Sequence, residues 1–97
     1  MGRVPALNRD YLEALSRLGI APGSTAAKAV ARVVREVLTA SELPLPNDGE
    51  RPLPRVTVGL SGRRVVSAYA RDVPGQRLRL WYLPHGERVE FLLVTRA

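Results

Sequence analysis

The spacing of apolar residues changes along the chain, from about 3.6 residues per repeat before Leu43 to two after Pro54. The first spacing is typical of amphipathic helices, and the second of strands with one buried face. The segment between them carries four prolines, which cannot continue a helix or join the centre of a sheet. At 97 residues a single core is expected. We therefore predict one domain over 1–97, with a helical half (1–42), an extended proline-rich strap (43–54) and a β-meander (55–97).

Two helices are predicted in the helical half. The first runs from about Arg9 to Leu18, because Asn8 suits an N-cap and Gly19 suits the position after a helix C-terminus. The second begins after a cap at Ser24 or Thr25. Its apolar residues recur with helical periodicity and should face a sheet: Val30, Val33, Val34, Val37 and Leu38.

Four strands are predicted after the strap, the last three over 64–72, 77–83 and 88–95, with turns at Ser61-Gly62, Pro74-Gly75 and His85-Gly86. Short strands joined by tight turns favour an antiparallel meander. The predicted fold class is therefore α+β, with two N-terminal helices packed on one face of a mainly antiparallel four-stranded sheet. Leu92 and Val94 make the second face of the last strand apolar, so a partner, an extra segment or a dimer mate should cover it.

Composition restricts the function classes. The formal net charge is +6, and Lys28 is the only lysine among fifteen basic residues. This charge suggests a polyanionic or acidic partner, although a GC-rich genome would also produce many arginines. The absence of cysteine excludes disulfides and thiolate metal sites. No apolar run is long enough to span a membrane and no signal peptide is evident, so a cytoplasmic protein without membrane, metal or cofactor is expected.

Alternation along the strands places basic and aromatic residues on the face away from the helices. Arg77, Arg79 and Trp81 share one side of their strand, while Tyr69 and Arg71 lie opposite small residues that would fit beneath a helix. Such a surface suits single-stranded RNA, although cation–π packing would give the same pattern. The candidate nucleic-acid-binding residues are Arg64, Tyr69, Arg77, Trp81 and Arg96.

Several short motifs resemble the RelE/ParE toxin superfamily, whose members are toxins of bacterial toxin–antitoxin pairs. They are Ala68–Arg71, a turn, Leu78–Tyr82 and the apolar strand Glu87–Val94, together with the leucine-proline connector Leu43–Pro46. The resemblance covers roughly the last two-thirds of the chain. It implies RNA or the ribosome as target and an acidic antitoxin as partner.

Two departures from the family pattern concern the chain ends. Family members usually start with a β-strand, for which only Arg3–Leu7, with an internal proline, is available. Ribonuclease members tend to carry a lysine, histidine or tyrosine near the C-terminus, where this chain has Val94–Ala97.

Metal-independent cleavage of RNA through its own 2′-hydroxyl needs a base, an acid and cations on the developing phosphorane charge. Arg71 and Arg79 could supply the cations. His85 is the first candidate for proton transfer, since histidine is the usual proton carrier near neutral pH, with Tyr69 and Tyr82 as alternatives. A lone histidine in a turn such as Pro84-His85-Gly86 is more often simply exposed, so the enzyme assignment stays open. The candidate catalytic residues are Arg71, Arg79 and His85.

Three hypotheses follow from the sequence. The first is a RelE-like toxin that binds RNA or the ribosome through the basic sheet face and cleaves mRNA. The second is a non-catalytic nucleic-acid-binding or gyrase-directed relative. The third is a small structural or assembly protein that forms a homodimer through its last strand.

Overall fold

The computed structural model of this chain describes residues 2–97. Their elements are, in chain order, β1 (Val4–Leu7), α1 (Arg9–Arg17), α2 (Thr25–Thr39), β2 (Glu50–Val58), β3 (Arg64–Val73), β4 (Leu78–His85) and β5 (Arg88–Arg96). The five strands form one sheet in the order β1-β5-β4-β3-β2. Neither helix in this part of the chain is long and apolar enough to cross a membrane.

The predicted fold class is wrong in the number of strands and in the position of the helices. The sheet has five strands instead of four, and it is mixed because β1 runs parallel to β5 while the other pairs are antiparallel. The helices are not N-terminal, since β1 precedes them. This strand is four residues long, contains Pro5 and pairs with residues at the other end of the sequence. It therefore lacks the local alternation by which a strand is recognised.

The helices begin where their capping residues predict. The Asn8 side chain accepts a hydrogen bond from the backbone of α1, and the Ser24 side chain accepts one from α2. Gly19, with φ of +72°, follows the end of α1. At the end of α2 the Arg3 guanidinium donates to the carbonyl of Ala40, which satisfies one of the helix's free C-terminal acceptors.

The two helices cover one face of the sheet, which we call the helix face. Residues from both helices and from β3, β4 and β5 form a buried cluster there: Tyr11, Val30, Val33, Val37, Val73, Leu78, Leu80, Tyr82, Val89, Phe91 and Val94. Full burial of a Val, Leu or Phe side chain stabilises the fold by about 1.5–3 kcal/mol. This cluster is therefore the main core.

The alternation of β3 is opposite to the predicted one. Tyr69 pairs with Tyr82 and Arg71 pairs with Leu80, so Tyr69 and Arg71 lie on the helix face. Ala70 pairs with Trp81 and belongs to the second face. Alternation separates two sets of side chains but does not say which set meets the helices. The alanines are small because a tryptophan, and not a helix, lies beside them.

The second face of the sheet is also buried. Its cluster consists of Leu53, Ala68, Ala70, Trp81, Leu92 and Leu93. The sequence left open what covers this face, and the chain's own β2–β3 hairpin does so. Pro52 pairs with Ser67 and Thr57 with Val65, so four residues of β2 oppose a single residue of β3 at an irregularity that bends the strand.

The bend brings the two edges of the sheet together. β1 and β2 are the edge strands, yet Asn8, which directly follows β1, donates from Nδ2 to the Val58 carbonyl in β2 at 2.8 Å. Arg55 of β2 also lies 3.5 Å from Asp10 of α1. The hairpin therefore crosses the second face and reaches the start of α1.

The predicted strap is part turn and part strand. Leu43 and Leu45 pack against the main core, and Asn47, with φ of +73°, lies in the turn that follows. β2 begins at Glu50, inside the segment 43–54. The two prolines of β2, Pro52 and Pro54, lie in an edge strand, where a missing N–H donor is tolerated.

An extra residue in β5 explains why both of its sides are apolar. Trp81 pairs with Leu93 and Tyr82 with Phe91, which leaves Leu92 unpaired in a bulge. Leu92 and Leu93 both join the second-face cluster, while Val94 joins the main core. Since β5 lies between β1 and β4, the apolarity that suggested a dimer through the last strand is accounted for within the chain.

Candidate functional site

The aromatic residues predicted to bind RNA do not form an open platform. Trp81 is 4% exposed, and its Nε1 donates to Thr95 Oγ1 at 2.9 Å. Tyr69 lies on the helix face, with its ring centroid 5.9 Å from that of Tyr82. Base stacking needs an accessible ring face, and the Trp81 ring is buried on the opposite side of the sheet from Tyr69.

The predicted arginines do not all lie on one face of the sheet. Arg71 lies on the helix face and Arg79 on the second face, where its Nε donates to Asp72 at 2.9 Å. The others are exposed at the sheet ends: Arg64 at the start of β3, Arg77 in the β3–β4 turn and Arg96 at the end of β5. These residues do not form the single basic surface that was predicted.

Arg71 belongs to a structural network that holds the strap on the sheet. Its guanidinium donates to Asp48 at 2.9 Å and to Glu36 of α2 at 3.2 Å. The Tyr82 hydroxyl donates to Asp48 at 2.6 Å and accepts from the Leu45 N–H at 3.1 Å. Each polar group of this network is hydrogen-bonded to another group of the chain, so the network has a structural role.

The pKa shifts support this structural interpretation. Burial alone lowers the pKa of Arg71, but the hydrogen bonds and charges of Asp48 and Glu36 outweigh it and raise that pKa. Burial, followed by the hydrogen bond to Asp48, raises the pKa of Tyr82 well above its ordinary value. Tyr82 is therefore held in its protonated form and is unsuited to act as a base.

Arg71 and Arg79 both border a polar cavity of about 290 Å³ at the edge of β3. They meet there because β2 does not extend beside the end of β3. Arg51 adds a third cation to the cavity wall, but Asp48 and Asp72 also line it. The two carboxylates offset most of this positive charge.

His85 does not join these arginines. It lies six residues from Arg79 on β4, which corresponds to about 20 Å along an extended strand. The predicted catalytic set Arg71, Arg79 and His85 is therefore not assembled in one place.

His85 instead contacts a carboxylate that the sequence prediction missed. Its Nε2 lies 3.2 Å from Oε1 of Glu90, a side chain with 0% exposure. Asn8 Nδ2 donates to the other oxygen, Oε2, at 2.8 Å, and the Leu60 N–H donates to Oε1 at 3.3 Å. The available signal was a glutamate within the otherwise apolar run from Val89 to Val94, where a buried charge needs partners.

This contact can fix the orientation of the His85 ring. An imidazole that donates from Nε2 to a carboxylate is fixed in one tautomer and leaves the Nδ1 lone pair as its acceptor. With 38% of its side chain exposed, His85 can be reached by a substrate.

The surroundings of His85 are basic. Arg88 lies directly opposite His85 in the β4–β5 pairing, and Arg63 and Arg64 lie at the adjacent hairpin tip. The tip approaches closely because residue 59 is glycine. A Cβ there would lie 2.9 Å from the Val65 side chain and 3.3 Å from Glu90 Oε1. We call the group Asn8, His85, Glu90 and Arg88 the His85 site.

Few cations of the chain are neutralised by neighbours. Within residues 2–97, four of the fifteen Lys and Arg side chains lie in ion pairs with carboxylates, which leaves eleven without one. Arg63, Arg64 and Arg88 are among these eleven. The same residues contain no group of three or more His, Asp or Glu side chains that could hold a metal ion.

Searches against protein-family models, curated proteins and solved structures found no match to this chain. The resemblance to the RelE/ParE toxins therefore stays a prediction from the sequence.

Proposed function

We propose that the protein acts on RNA from the His85 site, as a toxin-like ribonuclease of the kind that the sequence resemblance implies. The observation that carries this proposal is the 3.2 Å contact between His85 Nε2 and the fully buried carboxylate of Glu90. A cytoplasmic location, a ribosomal substrate and an acidic antitoxin belong to the same proposal.

The proposed chemistry is strand cleavage by the RNA's own 2′-hydroxyl. Nδ1 of His85 takes the hydroxyl proton, O2′ bonds to the adjacent phosphorus, and the bond from phosphorus to O5′ breaks. The leaving oxygen takes a proton from water. Arg88, opposite His85 on β5, supplies positive charge near the phosphate.

Cleavage of single-stranded RNA by the purified protein tests the proposal, with products carrying 2′,3′-cyclic phosphate ends. Loss of a proton-transfer group lowers rates by about 10²–10⁴-fold. The cleavage rate of the His85→Ala variant should therefore be lower by that factor. Arg35→Ala removes an exposed cation from α2, away from the site, and should retain the rate. Induced expression of the intact protein should slow growth, and His85→Ala should relieve this effect.

Two results would contradict the proposal. One is the absence of cyclic-phosphate products from free or ribosome-bound RNA. The other is a cleavage activity that survives His85→Ala but is lost in Arg79→Ala, because it would return the chemistry to the residues first predicted from sequence.

The eleven unneutralised cations favour a second candidate, a protein that binds nucleic acid without cleaving it. Their charge attracts phosphates regardless of any proton transfer. In that case RNA binding would weaken with salt in the usual way while His85→Ala and the intact protein bind equally.

A further inference from the structure

A second groove lies between the end of α1 and the middle of β2. It has a volume of about 270 Å³ and borders the last residues of β5, from Leu93 on, whereas Arg88 begins that strand, about 16 Å from Leu93 by strand geometry. Five apolar residues and three arginines line it: Ala14, Leu18, Pro54, Leu93, Val94, Arg17, Arg55 and Arg96.

The rim of this groove is positively charged. Arg17 and Arg96 are exposed, and neither forms an ion pair with another residue between 2 and 97. Arg55 lies 3.5 Å from Asp10, but both side chains are partly exposed, so the pair is weak and an incoming carboxylate can exchange with it. No carboxylate side chain lines the groove.

We propose that this groove binds an acidic peptide segment of a partner protein, with one apolar side chain inserted between the arginines. The fork of donors on each guanidinium matches a carboxylate. The volume of about 270 Å³ is slightly smaller than the roughly 300 Å³ lower limit of small-molecule pockets, which suits one side chain. The lining contains no aromatic residue on which a base could stack, so a peptide fits better than RNA.

The chain carries its own reporter of this groove. Trp81 is the single tryptophan, and its Nε1 donates to Thr95 Oγ1, while Thr95 lines the groove. A peptide seated there should change the Trp81 fluorescence. The acidic partner rests on the proposed function, but this readout is independent of RNA cleavage, so failure of the groove and failure of the ribonuclease proposal can be told apart.

The experiment titrates the protein with a short synthetic peptide of Asp and Glu residues around one Leu and follows Trp81 emission. Replacing the Leu by Ser should weaken binding. In the protein, Arg17→Glu with Arg96→Glu should weaken it by about tenfold or more, since two exposed ion pairs are lost and their charges reversed. The matched control, Arg32→Glu with Arg35→Glu, makes the same charge change on the exposed side of α2 and should bind nearly normally. Circular dichroism of both variants checks that the fold is retained.

Four outcomes would overturn the inference. The peptide could fail to change Trp81 emission. The two double variants could weaken binding equally, or the Ser peptide could bind as well as the Leu peptide, either of which indicates diffuse charge attraction. Finally, an oligouridine could bind in place of the peptide with the same dependence on Arg17 and Arg96, which would make the groove an RNA surface.

Discussion

Replacement of Glu90 by glutamine should destabilise the protein strongly, although the side chains have nearly the same shape. The two carboxylate oxygens accept from Asn8, Leu60 and His85. A glutamine has one oxygen, so its NH₂ group must face either the Asn8 amide or the Leu60 N–H. Asn8 cannot rotate its amide to compensate, because its Oδ1 already accepts from the Asp10 N–H at 2.8 Å.

The expected loss combines two terms. Hydrogen bonds to a charged group contribute about 1.5–3 kcal/mol, and a buried donor left without an acceptor costs about 1–3 kcal/mol. Since the remaining donors keep one acceptor, we expect Glu90→Gln to lower the free energy of unfolding by about 2–4 kcal/mol, from a total of about 5–15 kcal/mol. For a chain of this size the Tm should fall by about 10–25 °C.

Urea denaturation followed by circular dichroism measures this loss. The control is Glu87→Gln, which removes the same charge from an exposed turn residue and should change stability by no more than about 0.5 kcal/mol. A loss below about 1 kcal/mol for Glu90→Gln would refute the reasoning, because the carboxylate would then not be needed by its three donors.

Two further predictions concern the network around the strap. Because the pKa of Tyr82 is raised by burial and then by Asp48, the folded state keeps a proton that the unfolded state releases above about pH 10, so stability should fall there by on the order of 1 kcal/mol per pH unit. Urea curves between about pH 9 and 11 should show a shallower decline for Tyr82→Phe, and equal slopes would contradict this. Arg71→Met should cost about 2–4 kcal/mol because the Asp48 side chain is only 4% exposed. Arg79→Met should cost at most about 1 kcal/mol because the Asp72 side chain is 69% exposed, and thermal melts in the reverse order would refute both estimates.

The local signals in the sequence predicted the helices well. Both helix starts follow the capping side chains of Asn8 and Ser24, and the apolar residues Val30, Val33 and Val37 are buried as their spacing predicts. These signals depend on residues within one or two turns of each other. The predicted strands at 64–72, 77–83 and 88–95 likewise lie within two residues of β3, β4 and β5.

The errors in the predicted fold come from contacts between distant parts of the chain. β1 is defined by its pairing with β5, and the irregularity in β2 by its pairing with β3. The bulge at Leu92 and the register of Tyr69 against Tyr82 decide which side chains reach which face. A one-residue change of register moves every side chain to the other face, so alternation alone could not place Tyr69 and Arg71.

The candidate site likewise combines one residue that local sequence could identify with partners that come from distant segments. His85 was recognisable as a residue type, but its partners Asn8, Leu60 and Glu90 come from three separate segments. The glutamate in an apolar strand was visible in the sequence. Its donors could not be predicted, because they are brought to it by the bend in β2 that joins the two edges of the sheet.

The position of β5 inside the sheet has a consequence for folding during synthesis. The last strand of the described chain supplies residues to both buried clusters and separates β1 from β4. During synthesis, β1 and the helices emerge first and must wait for this strand before their apolar sides can be covered. Folding should therefore be completed after residues 88–96 have left the ribosome, and a nascent chain stalled before them should remain sensitive to protease.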